Sequence, residues 1–178
     1  MTADDVLHFW FQQCRPWQWF RRRDSFDALV SDRFATLVER ALAGELQVWA
    51  EEPSSGLAVV LLLDQFSRQI WRGEAKAFAG DQQAQALSHE ALRRGWLRDE
   101  SERARRQFWL MPLLHSEDEG VVARVIPMLD QLVDTATADV ARRNLMLLQV
   151  FGRYPHRNSA LGRVSSPAEL LFLQQPSP

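Results

Sequence analysis

Apolar side chains recur at three- and four-residue steps along most of the chain, the period that lays one face of an α-helix against a core. Val6, Leu7, Trp10 and Phe11 form the first stripe, behind Thr2 as a cap and ahead of Pro16. Trp17, Trp19 and Phe20 follow at once and read as an aromatic plug for the core, with Arg21, Arg22 and Arg23 as a solvated turn. The next stripe, Phe26, Val30, Phe34, Leu37 and Ala41, starts behind a capping Asp24 and stops at Gly44. A third helix over residues 57–71 is apolar nearly all round at its start, as a central helix must be. Within it Asp64, Arg68 and Arg72 fall at i, i+4 and i+8 and share one face, and Gly73 ends the run.

Asp81 is placed to cap a fourth helix that runs to Gly95, and Ser101 a fifth that carries Phe108, Trp109 and Met111 as far as Pro112. Ser116 and Glu119 have capping-box spacing for a sixth helix that reaches about Asp134 and is kinked at Pro127. A seventh starts near Thr137 and leads into the polar turn at 151–163. Ser166, Pro167 and Glu169 open a short last helix, beyond which a tail at 174–178 is expected to fray. No stretch alternates β-branched residues, so no strand is predicted. The reading is one all-α domain over residues 1–178, built of antiparallel helix hairpins in a bundle or compact helical array.

A net charge of -2 gives no general attraction to nucleic acid or to acidic membranes, and neither partner is expected. Cys14 is the sole cysteine, which excludes an internal disulfide and a thiolate metal cluster. The apolar run 57–63 is far too short to span a bilayer, and the N-terminus lacks a signal-peptide pattern, so a cytoplasmic protein is expected. Lys76 is the only lysine. Where the arginines converge, their planar forks suit carboxylate or phosphate.

Three polar clusters interrupt apolar or turn segments: Asp64, Arg68 and Arg72; His115, Glu117 and Asp118; and Arg153, His156, Arg157, Asn158 and Arg163. Gly152 suits a left-handed helix end and Pro155 stiffens the turn that presents the last cluster. The leading expectation is that all three meet in one pocket for a small anionic metabolite. Arg68, Arg153 and Arg157 would clamp the anion and Asp64 would orient an arginine. His115 or His156 would transfer a proton, and Arg72, Glu117, Asn158 and Arg163 would complete the binding set. The alternative is a helical interaction module that takes an acidic or carboxylate-bearing peptide, and a third reading makes the clusters structural braces only. None of the two-histidine helical spacings of metalloenzymes occurs, nor a phosphate-cradling glycine loop, a nucleophile elbow or a dinucleotide fingerprint. No metal or cofactor is therefore expected, and the residues leave open whether the chain is an enzyme.

The chain resembles the bacterial Domain of Unknown Function 924 family along nearly its whole length. The resemblance rests on Trp17-Gln18-Trp19-Phe20 with Phe26-Asp27, Leu63-Asp64-Gln65-Phe66 with Arg68 and Arg72-Gly73, and Ala77-Phe78-Ala79 with Asp81. It continues in Met111-Pro112 with His115-Ser116-Glu117, and in Phe151-Gly152-Arg153, Pro155-His156-Arg157-Asn158 and Leu161-Gly162-Arg163. It implies a tetratricopeptide-like helical array and a grouping of these motifs, and carries no reaction with it. Ser67 stands where the family usually has proline, Gln69 where asparagine is usual, and Asn144 where a histidine is expected.

Overall fold

Helices and tight turns make up the computed structural model, which describes residues 1–175, and no strand occurs among them. The chain runs α1 (Ala3–His8), α2 (Pro16–Phe20), α3 (Asp24–Leu42), α4 (Pro53–Val60), α5 (Ser67–Ile70), α6 (Asp81–Arg93), α7 (Trp96–Asp99), α8 (Arg103–Leu114), α9 (Glu119–Leu132), α10 (Thr135–Phe151) and α11 (Pro167–Leu173). Gln174 and Gln175 close α11 as a turn, and the rest of the expected tail, 176–178, lies outside the described residues. No helix among the described residues is long and apolar enough to cross a membrane.

The central rod is longer than the sequence suggests. It starts at Pro53, passes from α4 into a π-helical stretch, Leu61–Phe66, and leaves as α5. Every residue from Gly56 through Ser67 is buried, because residues 57–63 are apolar on all sides and can lie with neighbours all round. α3, α6 and α8 pack against its π-helical stretch and α1 against α4, while α8, α9 and α10 stack in succession as helix hairpins. Phe66 sits at the hub of the core, its ring 4.9 Å from Phe34 and 5.1 Å from Trp10.

Several element ends differ from the pattern-based reading. Asp24 and Asp81 are first helical residues, and Arg23 and Gly80 occupy the cap positions. α8 starts at Arg103 behind Glu102 and continues through Pro112, and α9 continues through Pro127 to end at Leu132. Asp118, not Ser116, caps α9 by accepting from the Val121 amide at 2.9 Å, so the expected box does not form. Its counterparts at Thr2 and Ser166 do. The aromatic plug is only half buried: Trp19 stacks 6.1 Å from Trp10, whereas Trp17 and Phe20 are 45% and 57% exposed. On α2, Trp17 and Trp19 are two residues apart and so face opposite sides of the helix.

Gly80 fixes where α6 begins. A Cβ there would meet the Leu63 carbonyl oxygen at 2.7 Å, closer than any side chain tolerates, so only glycine lets this turn touch the central rod. That contact delivers Asp81 to the residues one turn further along the rod.

Candidate functional site

Asp64 lies inside the π-helical stretch, where the Ser67 amide bonds Leu62 O and the ordinary four-residue register is lost. Its carboxylate is wholly buried and three side chains converge on it. His115 Nδ1 lies 2.8 Å and 3.0 Å from its two oxygens, Gln65 Nε2 donates at 2.6 Å, and Arg68 Nη1 sits 3.1 Å from Oδ1 while bonding the Asp64 carbonyl at 2.6 Å. Burial alone would raise this carboxyl. The Arg68 guanidinium, His115 and the hydrogen bonds outweigh it and hold Asp64 well below the usual carboxylate range.

Arg68 extends the network to α6, its Nη2 donating to Asp81 Oδ2 at 3.0 Å. Arg157 Nη1 reaches the same oxygen at 3.1 Å, and Arg157 Nη2 donates to the His115 carbonyl at 2.8 Å. Asp81 therefore bridges two arginines brought from either side of the fold. Burial and the nearby Asp64 charge push its carboxyl up, against the pull of both guanidiniums. Arg157 is itself buried between the rings of Phe78 and Tyr154, 4.7 Å and 4.9 Å from its guanidinium carbon. Burial and Arg68 lower its proton affinity, yet a guanidinium stays charged at any ordinary pH.

The remaining members of the last cluster form a second network. Glu117 accepts from Arg163 Nη1 at 2.7 Å and Nη2 at 3.0 Å and from the Tyr154 amide at 2.7 Å, which outweighs its partial burial and lowers its carboxyl. Arg163 also bonds Asn158 Oδ1 at 2.9 Å and Tyr154 O at 3.0 Å. Arg153 forks onto Glu169 with two bonds of 2.7 Å and 2.8 Å. These contacts fold the 151–169 segment onto the end of α8, where Tyr154 Oη donates to Ser116 O at 2.7 Å.

A cleft of about 180 Å³ opens over the first network. Gln65, Arg68, Gln69 and Arg72 line one side, Met111 and His115 another, Trp19 and Phe20 a third, and Arg21 and Arg22 the rim. With Nδ1 turned to Asp64, the neutral imidazole of His115 keeps its proton on that nitrogen and leaves Nε2 as the acceptor. Arg72 lines the cleft while forked onto Asp27 at 2.7 Å and 2.9 Å.

The predicted residues thus divide. Asp64, Arg68, Arg157 and His115 share one network and Arg72 joins them at the cleft. Glu117, Asn158, Arg163 and Arg153 sit in the second network, and His156 lines a separate cavity of about 500 Å³ with Ser159 and Arg163. His156 is exposed and stacks on Tyr154 at 5.7 Å. Asn144 donates to the Leu114 carbonyl at 3.0 Å, bracing the end of α8 next to His115. Sequence reading passed over Asp81, Gln65 and the rim arginines. Asp81 had a usable signal, since Gly80 before it marks a close approach. Among the described residues no three histidine, cysteine or acidic side chains are grouped to hold a metal.

An all-α fold on a π-distorted central helix, with an aspartate–histidine–arginine network under a cleft, defines the class. The chain belongs to the family described as bacterial protein of unknown function (DUF924), whose family model matches residues 6–177. Its structure is similar to that of a protein of unknown function from Agrobacterium tumefaciens, with 35% identity, a TM-score of 0.90 and coverage of 98% of this chain and 97% of that one. No curated protein matches.

Proposed function

We propose that the protein binds a small organic anion in the cleft over Asp64 and His115, and that His115 exchanges a proton with it. The supporting observation is the 2.8 Å contact of His115 Nδ1 with the buried Asp64 carboxylate, at a histidine that lines a cleft edged by arginines. A carboxylate behind the ring fixes its tautomer and orientation, an arrangement suited to general acid–base catalysis. Arg68 and Arg157 then act from beneath: their forks are committed to Asp64, Asp81 and the His115 carbonyl, so they hold the histidine-bearing turn rather than grip the ligand. The setting is a cytoplasmic metabolite pool, and at about 180 Å³ the cleft suits a metabolite better than a peptide.

A thermal-shift screen of phosphorylated and carboxylated metabolites tests the reading. At least one anion should raise the unfolding midpoint of the wild type and not that of His115→Gln. Equal shifts in both proteins, or none in either, would refute it. Capture of an acidic peptide that no small anion displaces would favour the interaction module instead.

A further inference from the structure

Four arginines reach the cleft, and their charges are not equally available. Arg68 is spent on Asp64 and Asp81, and Arg72 on Asp27. Arg21 has no ion-pair partner among the described residues, and Arg22 meets only Asp24 at 3.9 Å, both side chains being at least three-quarters exposed. Such a contact is worth little in water. The uncompensated positive charge of the cleft therefore belongs to its rim.

The interior of the cleft asks for something else. Trp19, Phe20 and Met111 give it an apolar wall. Gln69, only 7% exposed, lines it too, and its Oε1 is buried with no hydrogen-bond partner. A buried acceptor left unmet is costly, so this amide stands ready for a donor. The terminal torsion of glutamine is soft, so the amide can turn to meet a donor held in the cleft. The space, about 180 Å³, holds roughly six waters or one small substituted ring.

We infer that the ligand is a short organic anion bearing its own hydroxyl or amino group: Arg21 and Arg22 take the acid group at the rim, Trp19, Phe20 and Met111 cover the body, and Gln69 Oε1 accepts from the donor group beside His115. The inference deepens the cleft reading above and rests on it. It assigns anion recognition to two residues of the α2–α3 turn, away from the buried arginines. A carboxylate and a phosphate monoester share the chemistry required.

Calorimetric titration of matched probes separates the parts: glycolate against acetate, 3-hydroxybutyrate against butyrate, 4-hydroxybenzoate against benzoate, and glycerol 3-phosphate against methyl phosphate. The wild type should bind the hydroxylated member of at least one pair about fivefold more tightly, the worth of one net hydrogen bond. An Arg21→Ala/Arg22→Ala variant should lose about tenfold for both members of that pair, the worth of a charge-assisted bond, with its unfolding midpoint unchanged because both side chains are exposed. Gln69→Leu should abolish the preference within the pair and keep the weaker binding. Which pair responds distinguishes carboxylate from phosphate. Anion binding undiminished in the rim variant would overturn the inference and leave the proposed function standing, as would equal affinity for both members of every pair. Absence of binding by every probe to the wild type would overturn both.

Discussion

His115 Nδ1 lies 2.8 Å from Asp64 Oδ1 although 51 residues separate them in the chain. The pair joins the C-terminus of α8 to the π-helical turn of the central rod, and Arg68 and Gln65 complete the ring of donors around the carboxylate. Asp64→Asn would remove one of the two carboxylates that Arg68 holds, leaving it Asp81 alone, and turn an amide toward the histidine. A destabilisation of about 3 kcal/mol is expected, in the range for a broken buried ion pair. Urea unfolding measures it, and the ¹⁵N shifts of His115 should show the tautomers mixing.

Gly80→Ala tests how Asp81 is delivered. The new methyl would press on the Leu63 carbonyl oxygen at 2.7 Å and on Leu63 Cα at 3.1 Å, neither of which can yield without moving the rod. Overpacking of this kind costs about 1–3 kcal/mol. Amides of the first turn of α6 should then exchange with solvent faster than in the wild type.

The Tyr154 amide donates to Glu117, which Arg163 holds in a fork. Removing that fork by Arg163→Ala should cost about 1–3 kcal/mol locally, since both side chains are largely shielded. Hydrogen exchange at Tyr154 should accelerate. The central rod should keep its protection, because stability is lost in local units.

His156 gives a pH signature. Although His156 is partly exposed, desolvation of the ring stacked on Tyr154, reinforced by the Arg157 charge, lowers its proton affinity in the folded state. Below the ordinary histidine value of about 6.5 the unfolded chain therefore binds more protons than the folded one, and stability falls as pH falls. His156→Gln should flatten the curve of urea midpoints against pH between about pH 7 and pH 5 relative to the wild type.

The forked Arg72–Asp27 pair sets a contrast. Arg72 is about a third exposed, so solvent screens the attraction, and Arg72→Ala should cost under about 1 kcal/mol by thermal unfolding. Arg68 stands one turn earlier with the same side chain, but it is more buried and holds two carboxylates, Asp64 and Asp81.

Sequence by itself determined the helices and the hub. Three- and four-residue periodicity is a local property, and the one helix apolar nearly all round at its start had to become the buried rod. The cap at Thr2 and the capping box at Ser166 were equally legible, because each is completed within four residues. Asp64, Arg68, His115 and Arg157 stood out as polar groups too numerous for their surroundings, and the folded chain brings them together.

Only the tertiary structure decided their partners. Asp81 reads as a cap in one dimension, and becomes the bridge between Arg68 and Arg157 because Gly80 touches Leu63. Arg21 and Arg22 read as a solvated turn, and become the rim of a cleft because α2 sets them beside the rod. Arg153, His156 and Arg163 looked alike beside Arg157 in sequence, yet the turn at Tyr154 and Pro155 aims them at different neighbours. Charge and periodicity are carried by each residue, whereas a shared carboxylate or an unmatched guanidinium exists only between elements that packing has brought into contact.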